Sequence, residues 1–158
     1  MKTNLLFFIL ISGLINVGCN SLLKSKTYKG FSLQNIASKT AYKSIDCSKG
    51  TGGDGIDAEG FELGKEGTGN TRPSSIRCEV IEKGNMEFSE SDFIDALLSE
   101  VEKEIRGSGG TMTGSSRPSL SNFIVDYEVK GRQGKINVSG KRDGSSYNLT
   151  SEITESTK

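Results

Sequence analysis

Histidine is absent from this chain of 158 residues. No imidazole is available as a general base, a partner for a nucleophile or a metal ligand. That removes the Ser-His-Asp triad, the Cys-His pair and the HExxH zinc site. Tryptophan is absent too, and aromatic residues make up 7% of the chain, so the core must be modest. There is no net charge, since 20 Lys+Arg face 20 Asp+Glu. A chain without a basic excess is not suited to nucleic acid or to strong attraction by anionic lipid. No apolar run reaches the roughly 20 residues of a comfortable membrane span.

What is present begins at the N-terminus. Lys2 precedes an apolar run from Leu5 to Leu14, followed by Ile15-Asn16-Val17-Gly18-Cys19. A positive start, a short apolar segment and a small residue before a cut site mark an export signal. Val17-Gly18-Cys19 resembles the lipobox of bacterial lipoproteins, although Asn16 stands where that pattern usually has leucine. The resemblance covers residues 1–19 alone. It implies cleavage before Cys19 and lipidation of that cysteine, which would hold the protein to a membrane, the outer membrane facing the periplasm being the expected place. Asn16 leaves an alternative open, in which ordinary cleavage gives a soluble secreted or periplasmic protein and Cys19 is incidental.

The cysteine count fits an anchor. There are three cysteines. With Cys19 lipidated, Cys47 and Cys78 remain as one pair. An oxidising compartment lets a disulfide persist, and the pair would stabilise the fold by about 3–4 kcal/mol in the chain-entropy model. Two buried free thiols are the alternative. Removing 18 of the 158 residues leaves 140, enough for one domain. A domain with so few aromatics gains much from such a staple.

The chain therefore divides into a signal peptide (1–18), an anchor and polar tether (19–30) and one domain (31–158). In the domain, Leu33, Ile36, Ala37, Ala41 and Ile45 recur at helical spacing, with Ser32 as N-cap. Phe31 and Leu33 could instead open a strand. Residues 48–75 form a glycine-rich loop, within which Phe61 and Leu63 alternate as a short strand. Ile76, Cys78 and Val80 give a strand whose apolar face would turn the Cys78 sulfur inward. Gly84-Asn85 breaks that strand or turns it toward Met86 and Phe88.

Ser89 to Arg106 carries the clearest helical pattern. Phe93, Ile94, Leu97, Leu98, Val101 and Ile105 share a face, Ser89 is the N-cap, and Phe88 and Phe93 have the spacing of a hydrophobic staple. Gly107 suits the position just past the helix. Residues 107–119 read as a second flexible loop. Three strands follow: Phe123 to Val129, a turn over Gly131 to Gly134, Ile136 to Gly140, a hairpin at Asp143-Gly144, and Tyr147 to Ile153. The expected fold class is α+β. A small antiparallel sheet, made of this C-terminal three-strand meander and the earlier strand, packs on one main amphipathic helix and is wet on its other face.

Candidate chemistry is sparse. Gly52-Gly-Asp54-Gly-Ile-Asp57 matches the start of a calcium-binding nonapeptide repeat, but Glu59 stands where an apolar residue belongs and there is one copy. Asp54, Asp57 and Glu59 are weak metal-ligand candidates, against a plain solvated acidic turn. An EF-hand fails because the aspartates are not at alternate positions. Gly60 to Lys65 is one residue short of a phosphate loop and has Glu66 where Ser or Thr would hold magnesium. Glu90, Asp92, Asp95, Glu100, Glu102 and Glu104 read as a solvated helix surface rather than acid–base pairs. Asn137-Val-Ser139 and Asn148-Leu-Thr150 match the glycosylation acceptor pattern, which in a bacterial protein marks only exposed positions. The expectation is a non-catalytic, lipid-anchored accessory or binding protein of the cell envelope. It would hold no cofactor, bind no nucleic acid, and recognise an envelope protein partner through the loops at 48–75 and 107–119. The alternative is a periplasmic inhibitor or immunity-type protein that blocks a hydrolase or toxin.

Overall fold

The computed structural model describes residues 30–52, 61–65, 71–82 and 87–157. The expected signal peptide 1–18, Cys19, the expected tether up to residue 29, the acidic trio Asp54, Asp57 and Glu59, and Gly84-Asn85 lie outside them. The described elements are α1 (Leu33–Lys39), β1 (Ile45–Gly52), β2 (Arg72–Val80), α2 (Glu90–Gly107), β3 (Gly110–Ser119), β4 (Asn122–Val129), β5 (Arg132–Asp143) and β6 (Ser146–Thr157). The strands form one antiparallel sheet in the order β1-β2-β6-β5-β4-β3. The class is α+β, as the sequence implies.

The sequence of α2 explains where it starts and which face it buries. The Ser89 hydroxyl accepts the Asp92 N–H at 3.3 Å, satisfying one of the orphan donors of the first turn. Glu90 and Asp92 lie at the positive end of the helix and Arg106 at the negative end. Phe88 packs on Phe93 with ring centroids 5.9 Å apart, closing the staple. Phe93, Ile94, Leu97, Val101 and Ile105 are all buried, in one core with Val125 and Tyr127 of β4, Val138 of β5 and Leu149 of β6. α2 lies over β3 and β4 and α1 over β1 and β2, so the two helices cover one face of the sheet side by side.

The other face has no described element on it. It carries Arg77, Asp126, Lys135, Thr150, Glu152 and Thr154, all exposed. Alternation along each strand produces this split, since successive side chains point to opposite faces.

Five expectations need correction. Residues 107–119 are not a flexible loop, because Gly110–Ser119 is the edge strand β3, laddered to β4 from Gly110↔Val129 to Ser119↔Asn122. The segment 48–75 is shorter as a loop than expected, since β1 runs to Gly52 and β2 starts at Arg72. Pro73 is tolerated there because β1 pairs no further along β2 than Ile76, leaving Pro73 at an edge. Ala41 and Ile45 do not continue α1: the helix ends at Lys39 and Ile45 opens β1. The left-handed residue past α2 is Gly109 (φ 79°), not Gly107. Finally, Lys130 and Gly131 (φ 51° and 76°) make the β4–β5 turn, whereas Gly134 lies inside β5.

Candidate functional site

Cys47 and Cys78 form a disulfide across β1 and β2, with Cα atoms 4.4 Å apart. The apolar phase of Ile76, Cys78 and Val80 turns the sulfur inward, and both cysteines are buried. Next to it the β1–β2 register shifts between Asp46↔Glu79 and Thr51↔Arg77. The covalent link therefore holds the two strands where the ladder is interrupted.

Two buried tyrosines lie across glycines of β5. A Cβ on Gly134 would fall 2.2 Å from the Tyr127 ring, and one on Gly140 would fall 2.1 Å from the Tyr147 hydroxyl. Only hydrogen at those positions lets the rings lie flat on the strand. The Tyr127 hydroxyl donates to Glu155 Oε1 at 2.7 Å, and the Tyr147 hydroxyl donates to Glu90 Oε1 at 2.7 Å. Glu155 also accepts the Gly64 N–H at 2.9 Å and the Arg132 Nε–H at 3.2 Å. Both members of that ion pair are buried, Arg132 at 7% and Glu155 at 2% exposure. Burial raises the pKa of each phenol well above its ordinary value, reinforced by the hydrogen bond to its glutamate and that carboxylate's charge; Arg132 opposes this at Tyr127. Both phenols thus stay protonated and serve as donors, not as bases.

Through Gly64, Glu155 ties the Phe61–Lys65 segment to the end of the sheet. Leu63 is buried there, and Phe31 and Phe61 exchange backbone hydrogen bonds of 2.7 Å. The sequence carries a signal for this cluster. The inward phase of Tyr147, Leu149, Ser151 and Ile153 continues to Glu155, so a carboxylate falls on the apolar face. Arg132 shares the phase of Ile136 and Val138 in the same way.

The helix carboxylates do not assemble into an acid–base pair. Glu90 is held by Tyr147, Asp95 pairs with Arg117, Glu100 with Lys103 at 2.6 Å, and Glu102 with Arg106 at 2.5 Å. Glu104 lies 3.9 Å from Lys39. Asp92 lends its N–H to the cap. Among the described residues no group of three His, Cys, Asp or Glu side chains comes together as a metal site. No helix among them is long and apolar enough to cross a membrane.

The β3–β4 hairpin differs from its neighbours. Its two-residue turn is Leu120-Ser121, and Leu120 is 68% exposed. Arg117 folds back beneath the turn. Its guanidinium donates to the Leu120 carbonyl at 2.9 Å, to the Ser91 carbonyl and hydroxyl at 3.0 Å each, and to Asp95. On the other side, the Gly140 N–H donates to the Ser121 carbonyl at 2.8 Å. Arg117 Nε and Asn122 Oδ1 are buried without a hydrogen-bond partner among the described residues.

Searches against protein-family models, curated proteins and solved structures each find no match to this chain.

Proposed function

We propose that this chain is a lipid-anchored protein of the bacterial cell envelope that acts by surface recognition and not by catalysis. The observation that carries the reading is the buried Cys47–Cys78 disulfide in a chain whose N-terminus has an export pattern ending at Cys19. A disulfide of this kind persists where thiols are not kept reduced, which is the compartment that such an N-terminus addresses. Recognition is supported by the design of the domain, a stapled sheet with a broad polar face and a pinned hairpin tip. A blocking role against a hydrolase or toxin is the second reading, favoured by that tip, which raises Leu120 into solvent.

The test of the anchor is intact-mass analysis of the protein from membranes. A chain beginning at Cys19 with added acyl mass, released or stalled by Cys19→Ser, supports it. A mature chain starting beyond Cys19 without acyl mass overturns it. Assays on peptidoglycan, ester and phosphate substrates test the rest. Turnover that is lost on Asp54→Asn or Asp57→Asn would overturn the non-catalytic reading and make the acidic loop a site.

A further inference from the structure

We infer that the β3–β4 tip, residues 117–122, is a recognition element that seats Leu120 in an apolar pocket of a folded protein partner. The inference rests on the surface-recognition reading above and deepens it by naming the contact.

One exposed leucine is ordinary on a protein surface and by itself says nothing. The setting of this one is not ordinary. The β4–β5 turn uses Lys130-Gly131, both at positive φ, and the β5–β6 turn uses Gly144 at φ 60°. Those conformations match the twist of the flanking strands. At the β3–β4 turn neither Leu120 nor Ser121 has a positive φ, and the ladder shifts register between Ser116 and Ser119. The turn there is held by hydrogen bonds from outside it and not by turn residues of positive φ. Arg117 grips the Leu120 carbonyl from one side, and Gly140 grips the Ser121 carbonyl from the other. The two buried side-chain atoms without a partner among the described residues, Arg117 Nε and Asn122 Oδ1, flank the same turn. Local rules broken together at one spot mark a place where function competes with stability. Here a single apolar side chain points outward on a turn whose two carbonyls are both hydrogen-bonded, and such preorganisation lowers the ordering cost of binding.

The chemistry around the knob selects the partner. A lipid surface is gripped by several apolar chains or by unpaired cations. This tip offers one leucine, and the Arg117 charge beside it is matched by Asp95. Its neighbours are Pro118, Ser119 and Ser121, hydrogen-bonding side chains and a stiff ring suited to the polar rim of a protein pocket. An extended strand added along β3 would meet the register shift between Met112 and Gly114 and then Pro118.

The test places a photocrosslinking residue at Ser121, and separately at Thr154 on the far face, in the full chain in its native cells. The protein captured from Ser121 is then purified for affinity measurement. A discrete adduct at Ser121 should fall at least tenfold with Leu120→Ser and persist with Leu120→Met. The affinity for the purified partner should weaken at least tenfold with Leu120→Ser, with the melting temperature unchanged. An adduct at Thr154 but not at Ser121 overturns the tip and leaves surface recognition standing. An adduct of twice the chain mass, or to lipid alone, overturns the choice of partner. No adduct at either position sinks the tip and counts against the recognition reading too. Equal binding by Leu120→Ser and the wild type shows that the leucine is not the contact.

Discussion

The two tyrosine stations at either end of β5 use one plan with different consequences. In both, a buried ring lies across a glycine and its hydroxyl donates to a glutamate 2.7 Å away. At the Tyr147 end the acceptor is Glu90, at the start of α2, where helix and sheet meet beside the rings of Phe88 and Phe93. At the Tyr127 end the acceptor is Glu155, within the sheet, and it needs Arg132 and the Gly64 N–H as well. The difference follows from solvation. Glu90 is only part-buried and sits in the favourable field of a helix N-terminus, so it needs few partners. Glu155 has lost its water, and a buried carboxylate must be met by a charge and several donors. One station docks a helix, while the other holds a loop segment at the cost of a desolvated ion pair.

Breaking the more demanding station should have the largest effect. Glu155→Ala strands Arg132 in the core and should cost about 3–5 kcal/mol in urea melts. Replacing both partners together, Glu155→Leu with Arg132→Met, should recover most of that loss. If the double variant is no better than the single one, the pair is more than a desolvated anchor. Gly134→Ala and Gly140→Ala push a methyl into each tyrosine and should each cost about 1–3 kcal/mol. A neutral result at either would mean that the ring is not seated on that glycine.

Alkaline pH tests the two phenols directly. The folded-state pKa of each phenol is raised, so its contribution is complete below the unfolded value of about 10 and is lost as pH rises above it. At pH 11 the loss should be about 1.4 kcal/mol per tyrosine. Urea melts at pH 8 and 11 should show a smaller difference in a Tyr127→Phe, Tyr147→Phe double variant. The smallest effect belongs to the half-wet station: Glu90→Ala should cost about 1 kcal/mol. A loss equal to that of Glu155→Ala would erase the distinction between the two.

Much of this architecture was legible where side-chain periodicity carries it. The face of α2, its Ser89 cap and the Phe88–Phe93 staple follow from spacing alone. So do the inward phase of Cys78 and the hairpin at Asp143-Gly144. β3 was not legible because Gly110–Ser119 has almost no apolar alternation; Met112 alone of its residues packs against the core. Its place in the sheet comes from backbone pairing with β4 and from Arg117 reaching back to α2, which are long-range facts. The Glu155 cluster is hidden for the opposite reason. Its pattern is present in the sequence, but a carboxylate on an apolar face reads as the end of the strand unless its partners, Arg132 and Tyr127, are seen converging on it.

The strand order has a bearing on how the molecule is made. β6 follows every other described strand in the chain, yet it lies between β2 and β5, pairing with β5 along its whole length and with β2 from Ser146 to Ile153. Until it emerges from the ribosome, β1–β2 and β3–β5 are two fragments with no ladder between them. The core that α2 buries then lacks Tyr147, Leu149 and Ile153. Vectorial synthesis therefore keeps the two halves apart until β6 is made and joins them in one sheet.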